Sequence, residues 1–238
     1  MNGRRSSMNV PGFSAAGGRR DGGFTLVEAL LSITMISIVG ATLTLFYVKA
    51  SVSTALQSQA QLANQIASAA MEQVSQLPGD ALVAGRPACL MTAQWAQTSP
   101  PVPAGVSKFF TSMSPAADQR LASLVCPVGS ALQALLTSQA KVEALPTQEK
   151  VPIKVNDFEL NFTKSFYVGL CWQNRGTGYA CVKPNLATVP AGMVPMLRVV
   201  VAVTWESARC PLNSDGVRRC AYVTDTLVHL DLIDPTFS

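Results

Sequence analysis

The stretch Arg19-Arg20-Asp21-Gly22-Gly23-Phe24-Thr25-Leu26-Val27-Glu28 leads into an apolar run that lasts until Val48 and ends at Lys49. From Phe24 to Val48 the run has 25 residues, of which Glu28 alone is charged. As a helix rising about 1.5 Å per residue it covers roughly 37 Å, more than the ~30 Å of bilayer hydrocarbon, which predicts a single membrane-spanning helix. Arg4, Arg5, Arg19 and Arg20 precede it and, with Asp21, give residues 1–23 a net charge of +3. Basic residues on one flank place that flank in the cytoplasm. A secretory signal has a shorter apolar core and a small-x-small cleavage site beyond it. Here the glycines come before the apolar run, and helix-forming sequence follows it.

Gly23-Phe24-Thr25-Leu26-Val27-Glu28 resembles the site recognised by prepilin peptidases in the type IV pilin-like family: a glycine, a phenylalanine that becomes the new N-terminus, and a glutamate as fifth residue of the mature chain. The resemblance implies a leader at 1–23, cleavage between Gly23 and Phe24 by a membrane aspartic peptidase, and N-methylation of Phe24. It also implies that Glu28 pairs with the N-terminal ammonium of Phe24, on the same or a neighbouring subunit, and so sets register during assembly. Physical chemistry supports a role for Glu28, because a carboxylate in a membrane segment costs several kcal/mol and persists where it is paired or functional. The other reading is a glutamate at the interface that snorkels to water. Many major pilins carry a proline near the end of this segment, where Leu45 and Phe46 stand here.

The apolar run is also rich in small and hydroxylated residues: Ser32, Thr34, Ser37, Gly40, Ala41, Thr42 and Thr44. These permit close helix packing in lipid, or bond back to the helix's own carbonyls. After the 24–50 segment, apolar residues recur at Val52, Ala55, Leu56, Leu62, Ala63, Ile66, Ala70, Val74 and Leu77, mostly three or four apart. This pattern predicts an amphipathic helix over 51–77, stopped by Pro78-Gly79, that continues the first and lies on a globular head. A parallel coiled coil is the alternative. The alanine-rich stripe suits a sheet.

Residues 78–150 are rich in Ala, Pro, Ser and Gln, and predict irregular chain around Pro100-Pro101-Val102-Pro103 with one or two short helices between Leu121 and Leu145. Residues 151–238 carry strand signals at Val151–Val155, Phe158–Phe162, Phe166–Trp172, Leu197–Trp205 and Ala221–Leu232, which predict an antiparallel sheet. The fold class is therefore α+β, a long N-terminal helix on an antiparallel sheet with disulfide-tied loops. The six cysteines, Cys89, Cys126, Cys171, Cys181, Cys210 and Cys220, all follow the apolar run, and an even set of this kind predicts disulfides in an oxidising compartment. Cys171 with Cys181 and Cys210 with Cys220 each bracket a glycine-bearing stretch, so each pair could staple a hairpin. Pairing Cys89 with Cys126 would tie the middle region to itself, and six cysteines allow fifteen connectivities. The stretch from Leu197 to Trp205 and the strand from Tyr222 to Leu227 resemble the C-terminal hairpin of minor pilins of the PilV kind and of minor pseudopilins of type II secretion.

Neither catalysis nor metal binding finds its residues. His229 is the sole histidine, set in an alternating strand with an outward position, so it offers no base for a nucleophile and no partner for a metal set. Gly176-Thr177-Gly178 lacks the lysine and following helix of a phosphate loop. Outside residues 1–23 the net charge is only +1, which disfavours nucleic acid as a partner of the body. Asp215, Arg218 and Arg219 form either a solvated loop tip or a contact for a partner subunit. No cofactor is implied. The expected role is structural, with other pilin subunits, the prepilin peptidase and the inner membrane as partners and the head in the periplasm. The alternatives are a minor pseudopilin of a type II secretion or DNA-uptake system, and a membrane-anchored ligand-binding module.

Overall fold

The computed structural model describes residues 25–97, 101–121, 144–155, 158–175, 180–184 and 190–229. The chain divides after Val52 into two compact units. Helix α1, Leu26–Gln76, contributes to both. It ends where expected, because Pro78 disfavours helical backbone at Leu77 and has no N–H of its own to donate. Pro78 and Gly79 do more than stop a helix. Pro78 stands as the N-cap of a second short helix, α2, at Gly79–Val83. Helices α3 (Ala88–Trp95) and α4 (Ala104–Ser107) follow, the latter running into a 3-10 turn at Lys108–Thr111, and a further 3-10 turn covers Gln119–Leu121. Val102 and Pro103 are irregular, as expected. Most of the span between Leu121 and Leu145, with its anticipated short helices, lies outside the described residues.

The second unit is built on a six-stranded antiparallel sheet. Its strands are β1 (Ser114–Pro115), β2 (Gln148–Val155), β3 (Phe158–Asn174), β4 (Cys181–Val182), β5 (Met193–Glu206) and β6 (Arg219–His229). β3 is the centre: β2, β1 and β4 pair with it, β5 pairs with it in turn, and β6 pairs with β5. The strand signals in this part of the sequence fall into two pieces, Phe158–Phe162 and Phe166–Trp172, but the strand is continuous through Thr163-Lys164-Ser165. Lys164 looks like an interruption because a lysine falls between Phe162 and Phe166 on an apolar face. Glu149 stands directly opposite it on β2, and its carboxylate accepts from Lys164 Nζ at 2.7 Å. The pair meets the lysine's need for a partner without leaving the strand.

One face of the sheet packs against α1. Ala63, Ala67, Ala70 and Val74 recur at helical spacing and are fully buried among Phe162, Phe166, Val168, Val199, Val201 and Val203. Small side chains let the helix axis come close to the pleated surface. Trp205 Nε1 donates to Gln59 Oε1 at 3.1 Å, adding one directional bond to this contact. The opposite face is covered by α4, the turn after it and Met113, which surround Tyr167, Cys171, Val200 and Ala202. Gly169 is required there, since a Cβ at that position would lie 2.6 Å from Met113 Sδ. Burial on both faces explains why β5 reads as an unbroken apolar run from Val199 to Val203.

A buried polar junction holds the middle of the chain to this core. The Arg86 side chain is wholly buried, and its guanidinium donates to the Leu145 carbonyl. The Asp118 N–H donates to the Arg86 carbonyl at 2.9 Å, while the Asp118 carboxylate accepts from Gly85 N–H at 3.1 Å and from Arg120 Nε at 2.9 Å. The hydrogen bond from Arg120, helped by the Gly85 and Arg120 backbone, holds the Asp118 carboxyl below its ordinary range against the opposing effect of burial.

Two outcomes follow from this packing. Ala67→Leu overpacks the helix–sheet contact and costs about 1–3 kcal/mol in denaturant unfolding of the full chain in detergent, whereas Ala69→Leu on the exposed face stays within about 0.5 kcal/mol. The depressed Asp118 pKa means that its contribution is complete above the ordinary carboxylate pKa of about 4 and is lost as pH falls through the lower folded value. Acid unfolding profiles of the wild type and Asp118→Asn should therefore differ at neutral pH and converge at low pH.

Candidate processing and membrane segment

In the first unit α1 begins after Thr25, and local chemistry explains the start. Thr25 accepts the Glu28 N–H both at its carbonyl, at 3.0 Å, and at its hydroxyl, at 3.3 Å. Thr25-x-x-Glu28 has the spacing of a capping box, a signal that the processing-site pattern around it overshadows in the sequence. Glu28 thus stands exposed in the first turn of the helix, where the helix dipole favours a carboxylate. Its position has this local cause whatever it binds in the assembled state. Gly23 and Phe24 lie outside the described residues.

From Leu26 to Val48 the helix presents large apolar side chains on all sides: Leu31, Ile36, Leu43 and Phe46 are among those more than half exposed. Such a surface does not remain in water; it marks contact with lipid or with other apolar helices. The helix is long and apolar enough to cross a membrane. Its serine and threonine hydroxyls are satisfied within it. Ser32 Oγ donates to the Glu28 carbonyl at 2.8 Å, Ser37 Oγ to Ile33 at 2.7 Å and Thr44 Oγ1 to Gly40 at 2.8 Å, with Thr34 and Thr42 bonding three residues back. These polar groups therefore add no uncompensated cost in hydrocarbon. Gly40 lies on open helix surface, with no atom within 4 Å of where a Cβ would stand.

The remaining candidates are in the second unit. Cys171–Cys181 and Cys210–Cys220 are disulfides, in keeping with their equal spacing around two turns. Cys89 is also disulfide-bonded, and Cys126 lies outside the described residues. The turn between Cys210 and Cys220 is ordered by its own side chains. Asp215 accepts the Val217 N–H at 3.1 Å and Arg219 Nη1 at 3.0 Å, and these contacts, the backbone one foremost, hold its carboxyl below the ordinary range. Arg219 also reaches Glu206 at 3.1 Å, and Arg218 Nη1 donates to the Cys210 carbonyl at 3.0 Å. His229 is exposed at the end of β6. Among the described residues no three His, Cys, Asp or Glu side chains gather as a metal set.

Residues 18–44 match the family model described as the prokaryotic N-terminal methylation motif. The matched span contains Gly23, Phe24 and Glu28 and supports a type IV pilin-like or pseudopilin protein. No curated protein and no solved structure matches the chain.

A charge in this segment tests its environment. Ile36→Lys adds about 2.5–3.5 kcal/mol to the cost of a helix centred in lipid and should shift the full chain from the membrane pellet to the supernatant after alkaline extraction. The same change at the exposed Ser68 of the second unit should not.

Proposed function

We propose that the chain is a minor type IV pilin-like subunit, cut between Gly23 and Phe24 by prepilin peptidase on the cytoplasmic face and N-methylated at Phe24. It is then assembled into a pilus, where it primes, caps or decorates the filament. The observation that carries this reading is the offset of Gly23, Phe24 and Glu28 at the start of an exposed apolar helix, inside the matched span 18–44. Hydrolysis of the Gly23–Phe24 bond frees an ammonium group four residues before Glu28, so each mature chain carries one cation and one anion at the head of α1. In lipid, an unpaired charge costs several kcal/mol, and a carboxylate that meets the ammonium of a neighbour removes two such costs together. Register is then a consequence of charge pairing, while the apolar surface supplies contact in every direction.

Two independent features support the orientation. The basic residues of 1–23 favour the cytoplasm, and the disulfides of the head require an oxidising compartment, which favours a head in the periplasm beyond the inner membrane. With Cys171–Cys181 and Cys210–Cys220 taken, Cys126 is the partner left for Cys89. The role is structural: the chemistry falls on the chain rather than being performed by it. A minor role suits the long region between α1 and β2, which gives the head material beyond the helix and sheet.

Intact mass and N-terminal sequencing of the protein from its native membrane should give a chain beginning with methylated Phe24, with a Cys89–Cys126 peptide in the non-reducing digest. Gly23→Leu should leave the leader uncut. Glu28→Ala should be processed and membrane-bound yet absent from sheared filaments. An uncut wild-type chain overturns the reading.

A further inference from the structure

Helix α3 sends one polar side chain inward. Gln94 is only 4% exposed, and its amide meets the chain where β2 begins beside the middle of β3. Nε2 donates to the Phe166 carbonyl at 3.0 Å and stands 3.5 Å from the Thr147 carbonyl. These two oxygens fix which way the amide is turned, because the reverse orientation would set Oε1 against both of them. Oε1 itself is buried, and among the described residues it has no hydrogen-bond partner. A buried acceptor without a donor costs at least as much as a lost hydrogen bond, so a donor is expected there.

A cavity of about 30 Å³ adjoins this group. Its walls include Gln94, Thr147, Ser165, Tyr167 and Thr204, and Thr147 and Tyr167 are as deeply buried as Gln94. The protein offers Oε1 few donors on this side. Pro101 and Pro103 line the cavity but have no N–H. Arg219 also lines it, with Nη1 given to Asp215 and Nη2 to Glu206. The Tyr167 side chain is hydrogen-bonded to Ser165, and burial pushes its pKa up to about 12, so its hydroxyl keeps its proton and can both donate and accept. The volume suits a single water molecule, whose share of the liquid is about 30 Å³, and is too small for an organic ligand. Hydroxyl and amide walls without a carboxylate suit water better than a cation.

We propose that this cavity is a binding site for one water molecule, which donates to Gln94 Oε1 and completes its hydrogen bonds with the hydroxyls of Ser165 and Tyr167. The water bridges α3 to β3 and so belongs to the structure of the segment that covers the second face of the sheet. Thr98 and Ser99 carry the competing donors, since they stand in sequence between Gln97 and Pro101 of the cavity wall, outside the described residues. A single hydroxyl brings one donor, whereas a water brings two and serves Oε1 and the β3 hydroxyls together.

The test is a crystal structure of the full chain in detergent, at a resolution that shows ordered solvent. One solvent peak should lie about 2.5–3.0 Å from Gln94 Oε1 and at a similar distance from a Ser165 or Tyr167 hydroxyl. A protein donor on Oε1, from Thr98, Ser99 or any other residue, overturns the proposal. So does an Oε1 with no solvent beside it, or an ion or additive at that position. Counting long-lived waters in solution, by magnetic relaxation dispersion of the water oxygen, gives an independent reading. Gln94→Met keeps the length of the side chain and removes the acceptor, and Ser165→Val fills the space from the opposite wall. Each should lower the count by one water relative to the wild type, in samples whose near-ultraviolet circular dichroism shows a folded head. An unchanged count in either folded variant overturns the assignment. None of these results depends on cleavage at Gly23, so this inference and the pilin reading can fail separately.

Discussion

The contact between the small-residue face of α1 and the sheet is the constraint on which the head depends. Ala63, Ala67 and Ala70 leave little side-chain bulk between helix and pleat, so the apolar residues of β3 and β5 fill much of the interface, flanked by Leu62, Ile66 and Met71 of the helix. This accounts for the large residues at Phe162 and Phe166 and for a valine-rich β5, because the sheet must supply the volume that the helix omits. It also explains why Trp205 is where it is. Its ring is buried at the end of the same face, and its N–H needs a partner, which Gln59 provides from the helix.

Once that face is closed, the rest of the chain covers the other. The segment from Ala88 to Met113 lays apolar side chains over Tyr167, Val200 and Ala202, with Trp95 stacked on Phe110 at 4.2 Å. Arg198 ties this cover to the sheet by donating to Ser112 Oγ at 3.0 Å and pairing with Asp225. Beside this segment, the junction of Arg86, Asp118 and Arg120 satisfies the Gly85 and Arg120 N–H groups and the Arg86 and Leu145 carbonyls.

The N-terminal half of α1 obeys a different solvent. Its serine and threonine hydroxyls return to helix carbonyls and its apolar side chains face outward on every side, a composition stable in lipid and unstable in water. Glu28 is the exception. Its place in the first turn is stabilised locally by Thr25 and the helix dipole, and the position lies within the matched methylation motif. The cap uses the Glu28 backbone N–H and leaves its carboxylate available for the proposed pairing with the Phe24 ammonium.

Features governed by residues close in sequence are legible from the amino-acid order itself. The apolar length from Phe24 to Val48 determines a helix long and apolar enough to cross a membrane, the three-and-four spacing to Leu77 its amphipathic continuation, and the equal spacing of two cysteine pairs is matched by their disulfides. The capping pattern of Thr25 is equally local, though overshadowed by the processing site that surrounds it. What the tertiary structure alone decides depends on partners distant in the chain. Lys164 marks a break in the strand pattern, and only Glu149, on another strand, makes it part of β3. β1 and β4, of two residues each, carry too little pattern to be strands except beside β3. The burial of Arg86 requires the Leu145 carbonyl, a partner 59 residues away in the chain. Local spacing specifies which face of an element is apolar; only the assembled sheet determines what covers that face.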